Sequence, residues 1–147
     1  MALGDLPNKP NALTLYQYWD DKRDSRAFPS LQDINLIDLW RIAPALIIKD
    51  VIGCGADFRN RYWGTLIVER AGFDASGKTH WEIYKDQPLG PQMENYQHVV
   101  KDKCGNIVHR SSSFIENRDF VVFTSLNLPI GQTDDVVDHI ISVIDYD

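Results

Sequence analysis

The feature of this sequence that most limits its possible folds is the grouping of its strand-like runs. Two apolar, β-branched or aromatic runs come early and three more close the chain, with a helical stretch between the two groups. Within each group only short turn segments separate the runs, and strands joined by tight turns pair antiparallel. The sequence therefore predicts an antiparallel sheet of five strands, at 45–52, 58–63, 107–116, 120–128 and 136–146.

Helical patterns precede and interrupt these strands. An N-terminal helix is predicted from an apolar stripe at positions i, i+3, i+4 and i+7, formed by Ala12, Leu15, Tyr16 and Trp19. A second, short helix is predicted over 34–39, with Asn35 as its N-cap. Helices between the strand groups are predicted over 65–71, 79–85 and 91–104. Helices inserted together must cover one face of the sheet, so we predict an α+β fold with a helical insert after the second strand and flanking N-terminal helices.

Length and charge narrow the class of protein. At 147 residues the chain is long enough for one hydrophobic core, and we divide it into an N-terminal arm and amphipathic helix at 1–26 and a main domain at 27–147. The formal net charge is −6 and Lys and Arg form no run, which argues against nucleic acid and anionic membranes as partners. No secretory signal pattern and no membrane-length apolar run occur, so the sequence predicts a cytoplasmic protein.

One short string argues for a different class of protein. Residues 72–79, GFDASGKT, match the pattern G-x-x-x-x-G-K-[ST] of the phosphate-binding loop in nucleotide hydrolases. Such a loop follows a buried parallel strand, whereas Glu69 and Arg70 interrupt the apolar run before it. Residues 140–145 imitate the magnesium-binding strand of these enzymes, but we interpret them as a closing antiparallel strand that ends in a solvated Asp145. A small-molecule enzyme such as a nucleotide hydrolase using 72–79 is the alternative function.

The same letters also have a purely structural interpretation. Gly72 and Gly77 permit the backbone conformations needed at turns on either side of a short segment. Asp74 and Ser76 are residues that cap neighbouring N–H groups locally. In this interpretation Lys78 is a solvated surface residue.

Two neighbouring segments form a recognisable motif. The first, 58–65, reads FRNRYWGT, and the second, 69–78, reads ERAGFDASGK. They contain an aromatic and Arg-containing strand, a Gly-Thr pair and a G-x-D-x-[ST]-G-K element, and in this they resemble the central motif of a bacterial stand-alone PAS-domain family. The motif positions are Gly64, Thr65, Gly72, Asp74 and Gly77. The resemblance covers most of the chain, because further segments also match the family. These are Tyr18-Trp19, Phe28-Pro29, 126–130 and 135–140.

The resemblance implies a sensory or protein-interaction module without catalysis of its own. PAS domains as a class hold haem, flavin, a small organic ligand or nothing between the sheet and the helices. A photoactive flavin needs an Asn-Cys-Arg-Phe-type element, and neither Cys54 nor Cys104 lies in one. Haem-binding relatives use an axial His on the helix before the third strand, where this chain has His98, but the apolar stripe of that helix leaves His98 facing water. His139, on an apolar strand face, is the better buried candidate and is interpreted as a structural residue. We therefore predict no cofactor, no metal site and no catalytic residue.

A ligand site, if present, is expected where inward strand residues face the helices. Alternation places Phe58, Asn60 and Tyr62 on one face of their strand and Trp63 on the other. The candidate ligand-binding residues are Phe58, Tyr62, Trp81, Tyr84, Phe120, Thr124 and His139. Filling of an ordinary core by the same residues is the alternative interpretation.

The N-terminal stripe predicts self-association. Its aromatic area exceeds what a short peripheral helix needs, and burial of each such side chain contributes about 1.5–3 kcal/mol. The sequence predicts a homodimer through this helix, with packing on the chain's own sheet or on a different signalling partner as the alternatives.

Overall fold

The structure is a computed structural model that describes residues 8–84, 91–112 and 121–146. Its helices are α1 (Pro10–Arg23), α2 (Thr65–Ala71), α3 (His80–Ile83) and α4 (Pro91–Asp102). Its strands are β1 (Leu46–Ile52), β2 (Asp57–Trp63), β3 (Asn106–Ser112), β4 (Val121–Ile130) and β5 (His139–Tyr146). Single 3₁₀ turns occur at Leu31–Asp33, Ala43–Ala45 and Gly53–Gly55.

The five strands form one antiparallel sheet in the order β2-β1-β5-β4-β3. The last strand of the chain therefore lies at the centre, between β1 and β4. Helices α2, α3 and α4 all fall between β2 and β3. This arrangement confirms the predicted α+β fold with a helical insert after the second strand. The predicted strand residues 113–116 and Phe120 lie outside the described ranges.

Helix α1 packs against the chain's own sheet. Ala12, Leu15 and Trp19 are buried, and the Trp19 indole Nε1 donates a hydrogen bond of 2.8 Å to the Pro129 carbonyl on β4. The side of the helix that faces outward carries polar residues such as Thr14 and Gln17. The stripe on which the homodimer prediction rested is therefore already used within one chain, which is the intramolecular alternative.

The N-terminus of α1 is fastened to the end of β5. The Asp145 carboxylate accepts hydrogen bonds from the backbone N–H groups of Asn11 (3.1 Å) and Ala12 (3.0 Å). These are amides in the first helical turn, which lack an intrahelical acceptor, and the helix dipole favours a negative charge beside them. The expectation that Asp145 is solvated is wrong: it is buried because it caps a helix distant in sequence.

The segment predicted as a second short helix is a series of turns. Its N–H groups bond to carbonyls three residues earlier, as in Asp38 to Asn35 and Leu39 to Leu36. The Asn35 side chain does cap locally, accepting from the Ile37 N–H at 3.0 Å. The helix prediction over 34–39 is wrong because these turns run directly into the Ala43–Ala45 turn, where Pro44 cannot continue a helix.

A β-bulge in β2 changes which side chains share a face. Asn60 pairs with Lys49, but Tyr62 pairs with Ile48, so Arg61 is an extra residue in the ladder. One extra residue reverses the alternation beyond it. Tyr62 therefore lies on the α1 side of the sheet, and Trp63 lies on the same side as Asn60. The predicted grouping of Tyr62 with Phe58 and Asn60 is wrong for this reason.

The two faces of the sheet have different coverings. On one face, α1 packs over residues such as Leu46, Leu126 and Val143. On the other face, α2 covers a smaller apolar cluster that contains Ile47, Trp63 and Ile67. Helices α3 and α4 cover the rest of this second face, where the side chains are unusually polar. Among the described residues, no helix has the length and apolar character needed to cross a bilayer.

Candidate functional site

The string GFDASGKT joins α2 to α3, and the backbone amides around its second glycine are not free for phosphate. The Ser76 N–H donates to the Asp74 side chain (2.9 Å), and the Gly77 N–H donates to the Asn60 carbonyl on β2 (2.7 Å). The Lys78 N–H donates to the Ala75 carbonyl (3.0 Å). Phosphate-binding loops work through unpaired N–H groups that point at the anion. The segment instead docks along the exposed edge of β2.

The motif positions carried over by resemblance have structural roles at this junction. Gly72 ends α2 in the left-handed conformation with φ of 87°, which favours glycine. Asp74 forms the local cap that was predicted, and hydrogen bonds from Ser76 lower the pKa of its carboxyl group. A Cβ on Gly64 would lie 2.2 Å from the Pro44 carbonyl oxygen, so only glycine fits there. Thr65 then begins α2.

A cavity of about 40 Å³ lies between the second face of the sheet and helices α3 and α4. Every strand and both helices contribute to its wall. The lining residues are Ile47, Lys49, Asn60, Trp63, His80, Ile83, Tyr84, Asn95, Tyr96, Val108, Phe123, Ser125, Asn127 and Ile144. Six of the fourteen are apolar or tryptophan, and the other eight carry polar groups that converge on one space. This combination is typical of a small-molecule site.

Lys49 is the charged group of this cavity. It lies on β1, is 4% exposed, and its Nζ donates to Asn60 Oδ1 on β2 at 2.5 Å. The Tyr96 ring of α4 lies over the ammonium, with 4.9 Å from Nζ to the ring centroid. Desolvation lowers the Lys49 pKa from 10.5 to about 7, against a smaller opposing effect of the Asp57 charge. A buried cation with a strongly shifted pKa in a cavity marks a functional-site candidate.

His80 stands beside Lys49 at the start of α3. Thr79 caps this short helix, accepting from the Glu82 N–H at 3.2 Å, and the docked segment before it fixes the position of His80 against β2. Burial and then the Lys49 charge lower the His80 pKa from 6.5 to about 4. The imidazole is therefore neutral at physiological pH. Its ring packs on Tyr84 with 4.6 Å between centroids.

A chain of hydroxyl and amide groups runs along the opposite wall. Ser125 and Ser142 both donate to Asn127 Oδ1, at 3.0 and 2.6 Å. Asn127 Nδ2 donates to Asn106 Oδ1 (2.9 Å), and Asn106 Nδ2 donates to the Asn95 carbonyl on α4 (2.9 Å). Buried polar groups that are fully paired specify one arrangement of the elements that carry them. The network therefore holds α4 in place over β3, β4 and β5.

Trp63 leaves one polar group of the wall unsatisfied. The side chain is 9% exposed, and its ring packs on Phe73 with 5.5 Å between centroids. Its indole N–H has no hydrogen-bond partner among the described residues. An unpaired buried donor costs about 1–3 kcal/mol, so each such group calls for an explanation.

The structure places the predicted ligand residues at different distances from this cavity. Tyr84 lines it, and Phe58 is buried beside it, with its ring 5.6 Å from that of Tyr96. Trp81 is half exposed and donates through Nε1 to the Ala56 carbonyl. The remaining described candidates lie on the α1 side of the sheet, and they are Tyr62, Thr124 and His139. Phe120 lies outside the described residues.

Each candidate on the α1 side has another partner. The Tyr62 hydroxyl donates to the Ala43 carbonyl at 2.9 Å. Thr124 Oγ1 lies 2.9 Å from His109 Nδ1 on the neighbouring strand. The His139 ring lies between the Asp50 and Asp138 carboxylates, at 3.1 and 2.6 Å. These three side chains therefore join parts of the fold rather than the cavity.

Sequence reasoning missed the polar residues that define the site. Lys49 lies between Ile47 and Val51 on one face of β1, and this interruption of an apolar face was the available signal. Asn127 and Ser142 are similar polar interruptions of β4 and β5. A strand buried on both faces tolerates such residues only when they are paired or functional.

The residues considered for cofactors lie elsewhere. Cys54 and His98 are exposed, as predicted for His98, and Cys104 is partly buried. Within the described ranges, no three His, Cys, Asp or Glu side chains approach closely enough to hold a metal ion.

The buried ammonium predicts an unusual pH dependence of stability. The folded-state pKa of Lys49 lies below its unfolded value, so the unfolded chain binds the proton more tightly. The buried Lys49 charge therefore destabilises the folded state. This destabilisation is complete below pH 7 and is relieved as pH rises towards 10.5. Between pH 7.5 and 10, the wild-type protein should gain roughly 3 kcal/mol of unfolding free energy relative to Lys49→Met, measured by urea denaturation. Lys78→Met, which removes an exposed lysine and keeps Lys49, is the matched control and should show the same gain as the wild type. Parallel pH profiles of wild type and Lys49→Met would show that Lys49 is charged and compensated in the fold.

Comparison with known proteins assigns the family. The family described as PAS domain matches residues 8–144. The fold is similar to that of a light-oxygen-voltage domain with a flavin analogue, with TM-score 0.57, 12% identity, and coverage of 79% of this chain and 87% of that chain. It is also similar to the LOV protein of Rhodobacter sphaeroides (TM-score 0.52, 10% identity, 77% of this chain and 68% of that chain).

A third similar structure is the sensory box sensor histidine kinase from Vibrio cholerae, with TM-score 0.51 and 10% identity over 76% of this chain and 90% of that chain. Identities this low show likeness of fold alone, and no curated protein matches the sequence. The family match extends over nearly the whole chain, and the sheet order and helical insert agree with it. The chain belongs to the PAS domain family.

Proposed function

We propose that this chain is a cytoplasmic, non-catalytic sensory module that binds a small molecule between its sheet and helices α3 and α4. The observation that carries the proposal is the cavity around Lys49, where polar groups from β1, β2 and α3 converge. A purely structural core avoids an ammonium with a single hydrogen-bond acceptor, because replacing such a group by an apolar one is neutral or stabilising. Retention of the charge is better explained by a ligand that uses it.

The size of the cavity limits the ligand. Sites for drug-sized ligands have volumes of about 300–1,000 Å³, whereas this cavity holds about 40 Å³. A haem or a flavin does not fit without displacement of α3 and α4. We therefore expect the purified protein to be colourless, and the ligand to be a molecule of a few atoms.

The alternative of a nucleotide hydrolase receives no support from the loop that suggested it. The amides of Ser76, Gly77 and Lys78 are paired with protein acceptors. The helix that follows has four residues, and Asp145 caps α1. A signalling role therefore explains the chain better than catalysis does.

Filling the cavity should abolish binding. Val108→Met adds volume at the cavity wall without removing a hydrogen bond, whereas Val122→Met places the same side chain at an exposed position of β4. In a ¹H–¹⁵N NMR screen of small neutral and charged molecules, at least one should shift resonances of the cavity residues in the wild type and in Val122→Met. Val108→Met should lose these shifts. A screen in which nothing shifts the cavity resonances would contradict ligand sensing.

Transmission of a signal needs a surface that another chain contacts. Ile37 and Trp40 are 78% and 67% exposed, and they border a surface groove that Tyr62 and Thr65 also line. The buried α1 stripe is not available for this purpose, so we propose that the predicted homodimer uses this groove beside the N-terminal region instead. Tyr62 of the groove belongs to β2, which also carries Asn60, so this strand connects the groove to the cavity wall.

The oligomeric state tests this proposal. Sedimentation equilibrium at tens of micromolar should give a dimer for the wild type and a monomer for Trp40→Asp. Val136→Asp introduces the same charge at another exposed apolar position, 59% exposed, and should remain dimeric. A monomeric wild-type protein would end the homodimer proposal and leave a different signalling protein as the partner.

A further inference from the structure

The polar groups of the cavity have a common character. Of its fourteen lining residues, Lys49 is the one that carries a formal positive charge, and none is Asp or Glu. Asp57 lies near enough to influence both Lys49 and His80, but its carboxylate accepts from the Phe58 and Trp81 N–H groups outside the cavity lining. The interior therefore presents positive charge without a compensating carboxylate among the described residues.

The lysine has unused hydrogen-bonding capacity. An ammonium group has three donors, and Asn60 Oδ1 is the one acceptor that the described residues supply to it. The Tyr96 ring offers a weaker electrostatic partner on one side. A buried charge that is incompletely paired costs several kcal/mol, which an anion bound beside it would offset.

A second hydrogen-bond donor independently favours a ligand that supplies acceptor atoms. The Trp63 indole N–H is buried without a partner among the described residues, and Trp63 lines the same cavity as Lys49. An indole nitrogen is a donor only, so a ligand that satisfies it must supply an acceptor. An oxyanion has acceptor atoms for both groups.

From this arrangement we infer that the ligand of the cavity is a small oxyanion, a carboxylate or a group of similar shape, bound through the Lys49 ammonium. The inference deepens the proposed function and rests on it. On the volume scale where one water needs about 10–15 Å³, the cavity corresponds to roughly three to four waters, so the anion has about three to four non-hydrogen atoms. Acetate, formate and nitrate have this size, and acetamide has the shape of acetate without its charge.

Anion binding through Lys49 is linked to pH. The groups that face the ammonium are Asp57 on β2, His80 on α3, Tyr84 directly after α3, and Tyr96 on α4. Between pH 6 and 8.5 acetate stays ionised and the His80 imidazole stays neutral, whereas free Lys49 loses its proton near pH 7. Affinity for an anion should therefore fall as pH rises through this interval, because the neutral amine must first take up a proton.

The test compares sodium acetate with acetamide at constant ionic strength, using NMR shifts of the cavity resonances to measure affinity. We expect acetate to bind at least tenfold more tightly than acetamide at pH 6. The acetate affinity should fall about 30-fold between pH 6 and 8.5. Formate and nitrate should follow acetate.

Variants separate Lys49 from other positive charges. Lys49→Met should lose at least tenfold in acetate affinity and all of its pH dependence, whereas Lys78→Met should behave as the wild type. Because the pH profile is measured on the wild-type protein, the inference stays testable even if Lys49→Met folds poorly.

The outcomes distinguish the inference from the function on which it rests. Equal and pH-independent binding of acetate and acetamide would overturn anion selection and leave ligand sensing intact. Binding of neutral molecules without any of the three anions would do the same. If no small molecule shifts the cavity resonances, the proposed function and this inference fail together.

Discussion

The contact between the Lys49 ammonium and Asn60 determines how the second face of this sheet is built. A lysine that is 4% exposed must be surrounded by groups that reduce the cost of its charge, and β2 contributes two of them and α4 one. Asn60 accepts its hydrogen bond, Tyr96 places a ring over it, and Asp57 favours its charged form.

Asn60 reaches Lys49 because the pair lies directly across the β1–β2 ladder, immediately before the bulge at Arg61. The same backbone of Asn60 receives the Gly77 N–H and donates to the Lys78 carbonyl, so one residue positions both the cation and the helices that enclose it.

This connection gives a physical meaning to the string that imitates a phosphate-binding loop. Residues 72–79 are a strap between α2 and α3, and their glycines allow the turns that bring Thr79 beside β2. Thr79 then caps α3, which places His80 and Tyr84 on the cavity. A bound ligand that alters the position of α3 would act on the strap and on β2 through these hydrogen bonds. Residues 72–79 therefore serve to position α3 over the cavity. They match the nucleotide-binding pattern because both contain residue types that favour turns.

Sequence patterns predicted the strands and helices well because those depend on local periodicity. The α1 stripe, the hairpin of β1 and β2 and the position of the helical insert followed from spacing and turn residues alone. The candidate site was predicted less well because it depends on contacts between distant segments. The bulge at Arg61 exchanges the faces of Tyr62 and Trp63, and no residue type in the strand predicts this bulge. Burial of Lys49 depends on α3 and α4 closing over β1, and capping of α1 by Asp145 joins the two ends of the chain. Local patterns carry no information about such pairs.

The protonation of Lys49 in the free protein tests the central claim most directly. In protein labelled with ¹³C-lysine, the Cε resonance that disappears in Lys49→Met can be followed through a pH titration. An ammonium buried in an unoccupied cavity without a carboxylate partner should titrate with a pKa of about 7, well below the ordinary value of 10.5, and the midpoint should rise when acetate is added. A midpoint near 10.5 with no response to acetate would contradict the account, because it would mean that Lys49 is solvated or already paired with an anionic group of the chain.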